Sequence, residues 1–410
     1  MPRLPPGPST GPIAQTVRLH RDPLGVLRGW QAQFGDVFTI RLATARPLVV
    51  VADPDAVAAL ADSDPVAAHA GEARRRILPM ASTRGAFGGD GEQHRAARRR
   101  IADGLRPDAL RLGSESMARF AEKHADAWPR GGEAFRLLDR MRQLVDDVFV
   151  RLVLGVRDEQ RARAAISALR RALRTPGNPP FTLPGDGDGL AGVAGNAVFR
   201  RRTGPLLAVL RGEIEARRRA GDLGDDLIGV VLRDEPDVSA AAIADELLVL
   251  LMAAQEPPSI ALTRLVARLN RVPAEPDADV VRETLRLWPP AFAILRRLTV
   301  AREVGGYALP AGATVVVPLP VVQRDARTAS DPDVFWTGRW QNDEPTAFAP
   351  FGGGARRCVG EPLAQAYFGT ILPALLRRIR LAPVAPEPEP MVLRGTVLVP
   401  RDGLLVRRIS

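Results

Sequence analysis

Residues 351–360 read Phe-Gly-Gly-Gly-Ala-Arg-Arg-Cys-Val-Gly and contain the only cysteine of the chain, Cys358. A glycine-rich loop lets the backbone approach a large flat group, because no Cβ atom intervenes. Cys358 stands just before a predicted helix, where backbone N–H groups and the helix dipole favour a thiolate, and Arg356 adds positive charge. A thiolate in these surroundings is either a nucleophile or a metal ligand.

The distribution of histidine favours the metal ligand. A nucleophilic cysteine needs a base, usually histidine, and the four histidines, which are His20, His69, His94 and His124, are all distant in sequence. The soft thiolate therefore fits iron better. The ordinary alternative is a small buried hydrophobic residue. A single cysteine excludes both an intrachain disulfide and a cysteine-based zinc cluster.

The hydrophobic patterns on either side of this loop predict a mainly α fold with small β sheets. Helical patterns cover 92–105, 107–128, 138–155, 158–174, 198–220, 239–270, 276–287 and 359–379, and strand patterns cover 38–42, 47–51, 304–309, 313–317 and 391–408. No fixed-period repeat or linker divides the chain, so we predict one domain over 1–410. Within it we expect an extended N-terminal segment at 1–20, a loop at 66–91 and irregular structure at 318–357.

Composition restricts the possible partners. The 410 residues are 46% hydrophobic and 25% charged, which is typical of a globular protein. The net charge is +10, but the 5% of aromatic residues do not alternate with basic runs as they do on a nucleic-acid surface, so no nucleic acid is expected. We find neither a run of about 18 apolar residues nor an apolar signal-peptide core, and we therefore predict a cytoplasmic protein with no membrane partner.

Residues 351–360 match the haem loop of the cytochrome P450 family, Phe-Gly-x-Gly-x-Arg/His-x-Cys-x-Gly, at every fixed position. Glu283 and Arg286 match the family's Glu-x-x-Arg signature, and Arg339 suits the partner of that pair. His94 and Arg98 match a His-x-x-x-Arg signature on a basic helix. The spacing of these signatures also fits, so nearly the whole chain resembles this family of haem-thiolate monooxygenases.

The resemblance implies a cytochrome P450 fold with haem b between the long central helix and the Cys-ligand loop. Cys358 would be the axial iron ligand. The haem-binding residues implied beside it are Phe351, Gly352, Gly354 and Gly360 in the loop and His94, Arg98, Arg296 and Arg356 at the propionates. Glu283, Arg286 and Arg339 would be structural.

The central helix departs from the family. Where the family has an acid followed by a proton-relaying Thr, this chain has Glu256 and Pro257, and Pro258 comes next. Two consecutive prolines remove two N–H donors and predict a kink or break, at about 3 kcal/mol or more each if unrelieved. Ser259 lies about 200° round an undistorted helix from position 257 and so points away from it.

Several functions stay open on this sequence. The first is oxidation of an organic small molecule, tailoring a secondary metabolite, with O2 and two electrons from an acidic ferredoxin and its reductase, and with water or substrate delivering protons. The second is haem chemistry that needs no proton-relaying Thr. It includes peroxide-driven oxidation, rearrangement, dehydration and nitrene-type transfer from a substrate N–O bond. The third is a catalytically idle haem-binding protein.

An apolar substrate pocket is expected above the haem, lined by the 66–91 loop, the central helix and the segment after Glu-x-x-Arg. The predicted lining residues are Phe87, Leu248, Met252, Ala253, Phe292, Ile294 and Val397.

Overall fold

The computed structural model describes residues 4–43, 46–77, 85–173, 190–221, 223–271, 276–384 and 389–409, with the side chains of 190–197 left aside. The fold is mainly helical. The α-helices in the described residues are α1 Pro12–Arg21, α2 Pro23–Phe34, α3 Ala56–Ala61, α4 Ala70–Ile77, α5 Gly91–Gly104, α6 Pro107–Leu112, α7 Ser114–Asp126, α8 Leu137–Val148, α9 Glu159–Leu173, α10 Leu190–Ala220, α11 Leu227–Asp234, α12 Ala240–Leu269, α13 Ala278–Leu287, α14 Leu319–Val322, α15 Arg339–Asn342, α16 Glu361–Ala366 and α17 Leu372–Arg378. Single π-helical turns at Phe149–Val153 and Tyr367–Ile371 extend α8 and join α16 to α17.

The strands form four small sheets. Their bounds are β1 Val37–Ile40, β2 Leu48–Val51, β3 Ala68–His69, β4 Ala134–Arg136, β5 Ala293–Leu298, β6 Arg302–Val304, β7 Tyr307–Leu309, β8 Thr314–Pro318, β9 Leu381–Pro383, β10 Met391–Arg394, β11 Val397–Pro400 and β12 Leu405–Arg408. The largest sheet has the order β1-β2-β8-β5-β3, in which only the β2–β8 pairing is parallel. β5 pairs with β8 through Arg296 and Val315, which fixes Arg296 within this sheet.

The main hydrophobic core surrounds α12. Its buried side chains come from α7, α8, α9, α10, α11, α12, α13 and the α16–α17 region, whereas the large sheet packs against two smaller clusters. Ser239 caps α12 by accepting a hydrogen bond from the Ala242 N–H at 3.2 Å. The long helix therefore begins at a defined residue and is held by packing along most of its length.

The N-terminal segment differs from its prediction. Residues 1–20 were expected to be extended, but Pro12–Arg21 is helical, with Pro12 at the first turn, where a missing N–H does no harm. Gln15 is buried and donates to the Pro8 carbonyl at 3.2 Å, and Leu19 is buried beside it. The proline content therefore marks the start of a helix here, not an extended arm.

Other boundaries also differ from the prediction. The expected loop at 66–91 contains β3 and α4, and the single helix expected at 107–128 is divided at Gly113 into α6 and α7. The strand β5 was missed because two adjacent arginines, Arg296 and Arg297, interrupt the alternation of apolar and polar residues that indicates a strand.

The sequence predicts a kink or a break at Pro257 and Pro258, and the break is wrong, because α12 continues from Ala240 to Leu269 with both prolines inside it. Two side chains directly before the diproline attach this turn to α8. Gln255 donates to Asp146 at 2.6 Å, and Arg142 donates to Glu256 at 2.8 Å. Tertiary contacts thus hold a helix that local propensity alone disfavours.

The structure brings Glu283, Arg286 and Arg339 together in a fully buried network. Arg286 donates from Nε and Nη2 to the two oxygens of Glu283, both at 2.8 Å, and Arg339 Nε lies 3.3 Å from Glu283 Oε1. Other guanidinium donors bind backbone carbonyls, including those of Gln323 and Asp331, and Arg339 Nη1 also lies 3.4 Å from Asp343 Oδ2. Glu283 therefore pairs with both cations, shares Arg339 with Asp343 and joins α13 to the irregular segment before the Cys loop.

We expect Glu283→Ala to lower the free energy of unfolding by about 3–5 kcal/mol, because it leaves the buried Arg286 guanidinium without a counter-charge. Asp279→Ala is the matched control on the same helix, since Asp279 pairs at 3.3 Å with Arg282, whose side chain is 48% exposed. An exposed pair contributes about 1 kcal/mol or less. Urea titration measures both variants, and equal losses would contradict a structural role specific to Glu283.

Candidate functional site

The Cys loop is a tight turn that requires its glycines. Gly352 and Gly354 have φ values of 70° and 59°, a region that side chains rarely adopt. A Cβ at Gly354 would also lie 2.5 Å from the Ala61 carbonyl oxygen. The Cys358 N–H donates to the Phe351 carbonyl at 2.8 Å, which closes the loop. These constraints fix the position of Cys358 at the start of α16.

The Cys358 side chain is exposed, yet enough protein surrounds its sulfur that burial raises the pKa of the thiol. A hydrogen bond from the Gly360 N–H and the positive charges of Arg74 and Arg98 act in the opposite direction and lower this pKa. The protein alone does not make a strongly acidic thiol. A thiolate therefore depends on a further positive charge, as a bound metal ion supplies.

The residues of the predicted His-x-x-x-Arg signature both contact the Cys loop. His94 Nε2 lies 3.1 Å from the Ala355 carbonyl oxygen, and Nδ1 lies 2.9 Å from that of Ala86. Burial lowers the pKa of His94. Arg98 donates to the Arg357 carbonyl. Both ring nitrogens of His94 thus face backbone oxygens, which differs from the carboxylate contact implied by the resemblance.

Three of the five N–H donors of Arg356 bind protein groups. It donates from Nε to Asp64 at 2.9 Å, from Nη2 to Asp90 at 2.6 Å and from Nη1 to the Gly89 carbonyl at 2.8 Å. The Arg356 and Asp64 side chains are each only 1% exposed. Two aspartates that the sequence did not single out thus accept hydrogen bonds from Arg356, and its propionate contact stays a prediction.

Arg296 and Arg74 lie on the same side of the Cys loop. Arg296 is buried, its Nη2 lies 3.4 Å from the Ala61 carbonyl oxygen, and its Nε has no hydrogen-bond partner among the described residues. Burial, together with the positive charge of the nearby Arg356, lowers the pKa of Arg296 and of Arg74 to about 10. Arg74 was not predicted, because it belongs to a segment expected to be a loop.

This set of groups fits haem. Haem is a flat molecule with two carboxylates at one edge. Its binding site needs a backbone surface without side chains, cationic groups at that edge and a soft ligand for the iron. The glycines of the Cys loop, the Arg74 and Arg296 guanidiniums and the Cys358 sulfur provide these three properties.

The open face of α12 carries no hydroxyl at the diproline turn. Ala253 is exposed, and Glu256, Pro257 and Pro258 are half-buried. The Ser259 and Thr263 hydroxyls are fully buried and donate to the carbonyls of the residues four before them, both at 2.6 Å. Glu256 is the carboxylate of this turn, and its Oε2 is held by Arg142.

The predicted pocket residues lie in several different environments. Ala253 is exposed on α12 and Met252 is half-buried, whereas Leu248 is buried in the main core. Phe292 packs against the N-terminal helices, Ile294 against the large sheet and Val397 beside Leu138. Phe87 lies 4.6 Å beneath the Arg74 guanidinium.

A small cavity identifies residues that the sequence analysis missed. It lies between the 85–88 segment and α12 and is lined on the helix by Glu246, Val249 and Leu250. Helical spacing from Ala253 would have indicated Val249 and Leu250, which are four and three residues earlier.

Comparison with known proteins agrees with the geometry. Cytochrome P450 135B1 of Mycobacterium tuberculosis is 30% identical over 98% of this chain and 91% of its own length. Cytochrome P450 135A1 of the same organism is 27% identical over 99% of this chain and 95% of its own length. The family profile for cytochrome P450 matches residues 278–407.

Solved structures match over the full length. Retinoic acid-bound cyanobacterial CYP120A1 superposes with a TM-score of 0.81 at 21% identity, covering 100% of both chains. P450 EryK in complex with erythromycin B superposes with a TM-score of 0.73 at 22% identity, covering 99% of this chain and 98% of its own. Fold and site define a haem-thiolate class of protein. The chain belongs to the cytochrome P450 family and is a cytochrome P450 oxidoreductase of small organic molecules.

Within the ranges that the structure describes, no helix is long and apolar enough to cross a membrane.

We expect Cys358→Ala to abolish the thiolate-type Soret band of the reduced, CO-treated protein, because alanine cannot ligate iron. Val359→Ala is the matched control, since it changes the neighbouring side chain and keeps the sulfur. Absorption spectra of the purified variants measure both. An unchanged spectrum in Cys358→Ala would show that another residue binds the iron.

Proposed function

We propose that this cytochrome P450 oxidises a small organic molecule in the tailoring of a secondary metabolite, using O2 and two electrons from an acidic ferredoxin. The observation that carries the proposal is the Cys loop, in which glycines at φ values of 70° and 59° hold Cys358 at the start of α16 beside unpaired guanidiniums. Haem held by a thiolate supplies the oxidation chemistry, since electron donation from sulfur favours O–O cleavage.

The chain's own residues would then act as follows. Cys358 holds the iron, and Phe351, Gly352, Gly354 and Gly360 leave room for the flat group. The backbone contacts of His94 and Arg98 fix α5 against the loop. The exposed Ala253 and half-buried Met252 on α12 provide an apolar surface that orients the substrate and excludes water.

Proton supply is the unusual part of this site. Thr in the relatives could hold a water and donate a proton, whereas Pro257 has neither a hydroxyl nor an N–H. The carbonyls of Ala253 and Ala254 lack their usual helical donors, because those would be the N–H groups of residues 257 and 258. Water or a substrate hydroxyl must donate to these carbonyls, and the same groups are the nearest source of protons beside Glu256.

The alternative is chemistry that needs no such relay. A substrate that brings its own N–O or O–O bond requires neither O2 activation nor an electron donor. The observation that favours this reaction class is the absence, in the described turn 253–259 of α12, of a hydroxyl that is not already bound to a backbone carbonyl. Peroxide-driven oxidation, rearrangement, dehydration and nitrene-type transfer all belong to it.

The expected docking face for a ferredoxin is α5 with the Cys loop. Arg95 and Arg99 have side chains 53% and 66% exposed, and both pair with Glu92. Arg100 lies on the same helix, but its side chain is 8% exposed and pairs with Glu235 and Glu246. The available positive charge therefore comes from Arg95, Arg99 and Arg357.

We expect Pro257→Thr to increase the product formed per NADH consumed if the enzyme activates O2, because it restores a hydroxyl at the relay position. The double change Pro257→Thr with Pro258→Thr should increase it further by restoring both N–H donors. Pro205→Ala, a proline change inside α10, is the control for a general effect of removing a helical proline.

The same measurement separates the two reaction classes. Turnover of an N–O or O–O substrate by the native protein without NADH and ferredoxin would favour the alternative. Tight coupling in the native protein with a substrate that has no hydroxyl would contradict our interpretation of Pro257.

We expect ferredoxin association to slow as ionic strength rises, because steering by exposed charges is screened within about 8 Å at physiological salt. Arg95→Gln and Arg99→Gln should each reduce the association rate and its salt dependence. Arg119→Gln on α7 is the control, since that arginine is also 67% exposed and pairs with one glutamate. Association rates measured by stopped flow that do not change with salt would contradict this docking face.

A further inference from the structure

A buried carboxylate lies in the wall of the small cavity between the 85–88 segment and α12. The segment contributes backbone and apolar side chains, and α12 contributes Val249, Leu250 and Glu246. Among the lining residues that the structure describes, Glu246 alone has a polar or charged side chain, and it is 8% exposed. A few polar groups in an otherwise apolar cavity determine which ligand group enters it. Glu246 is therefore a candidate for substrate recognition.

This cavity is connected to the haem site through the 85–88 segment. One ring nitrogen of His94 lies 2.9 Å from the Ala86 carbonyl oxygen, and the other lies 3.1 Å from that of Ala355 in the Cys loop. Gly85 faces Glu246, since a Cβ atom there would lie 3.7 Å from Glu246 Cγ. The segment therefore places Glu246 across from a wall that is fixed to the Cys loop.

Glu246 lies on the same face of α12 as the start of the diproline turn. Val249, Leu250 and Ala253 follow it by three, four and seven residues, a spacing that puts side chains on one side of a helix. The helical rise of about 1.5 Å per residue places Ala253 about 10 Å further along the axis. Val249 and Leu250 are half-buried, and Ala253 is exposed. A ligand along this face therefore has a carboxylate at one end and the diproline turn at the other.

The charges around Glu246 favour a cationic ligand group. Arg100 Nη2 lies 3.4 Å from Glu246 Oε2, and Arg100 Nη1 lies 3.3 Å from Glu235 Oε1 and 3.6 Å from Asp234 Oδ2. One guanidinium thus pairs with three carboxylates, and the net negative charge of these four side chains repels an anion. An alkyl group would exclude water from the Glu246 carboxylate without replacing its hydrogen bonds, whereas an ammonium group donates charge-assisted ones.

The cavity also has the size of such a group. About 10 Å³ of it is open to the centre of a water molecule, which is room for one water or one ammonium group. We propose that Glu246 determines substrate specificity by binding a protonated amine at one end of the substrate, while the apolar part lies along Val249, Leu250 and Ala253. This inference rests on the proposed function and identifies its substrates as amphipathic amines.

The test is titration of the full-length, haem-loaded protein with three probes that share one alkyl chain: decylammonium, 1-decanol and decanoate. The extended decyl chain is longer than the distance along α12 from Glu246 to Ala253, and binding is measured by the change in the haem absorption spectrum. The native chain should bind decylammonium about 10- to 100-fold more tightly than decanol, as expected for one hydrogen bond to a charged group. Decanoate should bind most weakly.

Glu246→Gln keeps the shape of the side chain and removes its charge. It should weaken decylammonium binding about 10- to 100-fold and change decanol binding by less than about threefold. Glu235→Gln is the matched control, because Glu235 also pairs with Arg100 but is not among the described residues that line the cavity. Its affinities for both probes should stay within about threefold of the native values.

Equal affinities of the native chain for decylammonium and decanol would overturn the inference. An equal loss in Glu235→Gln would do so as well, because it would show that Glu246 acts only through Arg100. A spectrum of an amine nitrogen bound to iron would also overturn it, since the head group would then lie at the metal. A native chain that bound no haem would overturn the proposed function too, whereas haem with a thiolate signature but no preference for the ammonium would reject only this inference.

Discussion

The buried contact of Arg356 with Asp64 and Asp90 determines where the rest of the site lies. One guanidinium joins the Cys loop to two acidic residues at 2.9 and 2.6 Å. The aspartates in turn accept the N–H groups of Ala70 and Gly71 at the start of α4, both at 2.7 Å. Because a buried ion pair is stable only when all its donors and acceptors are satisfied, these three segments are fixed as a unit.

A second buried polar cluster holds the opposite wall of the site. Asp146 on α8 accepts hydrogen bonds from Gln255 at 2.6 Å and from Arg170 at 2.9 Å. Burial raises the pKa of Asp146 to about 6, although both donors lower it. With the Arg142–Glu256 pair at 2.8 Å, this cluster ties α12 to α8 beside the diproline. The turn that loses two backbone hydrogen bonds is thus held by the contacts of Gln255 and Glu256 with α8.

The sequence was sufficient for those parts of the fold and site that depend on local residue pattern. The Cys loop, the long helices and the Glu283 network follow from glycine positions, helical period and signature spacing. Asp64 and Arg74 could not be found in this way, since their partners lie in other segments and only packing brings them together. The break predicted at Pro257 failed for the same reason: local propensity does not include the contacts of Gln255 and Glu256 with α8.

The intact α12 changes what the diproline means for chemistry. A broken helix would have opened the turn to many water molecules, whereas the continuous helix lacks only the hydroxyl and the two N–H donors. Glu256 is not free to take the place of the missing hydroxyl, because Arg142 holds its Oε2 at 2.8 Å. Whether the substrate carries a proton-donating group then determines where the proton comes from. A substrate with a donor group completes the site, and one without it leaves two backbone acceptors and a paired carboxylate facing an apolar surface.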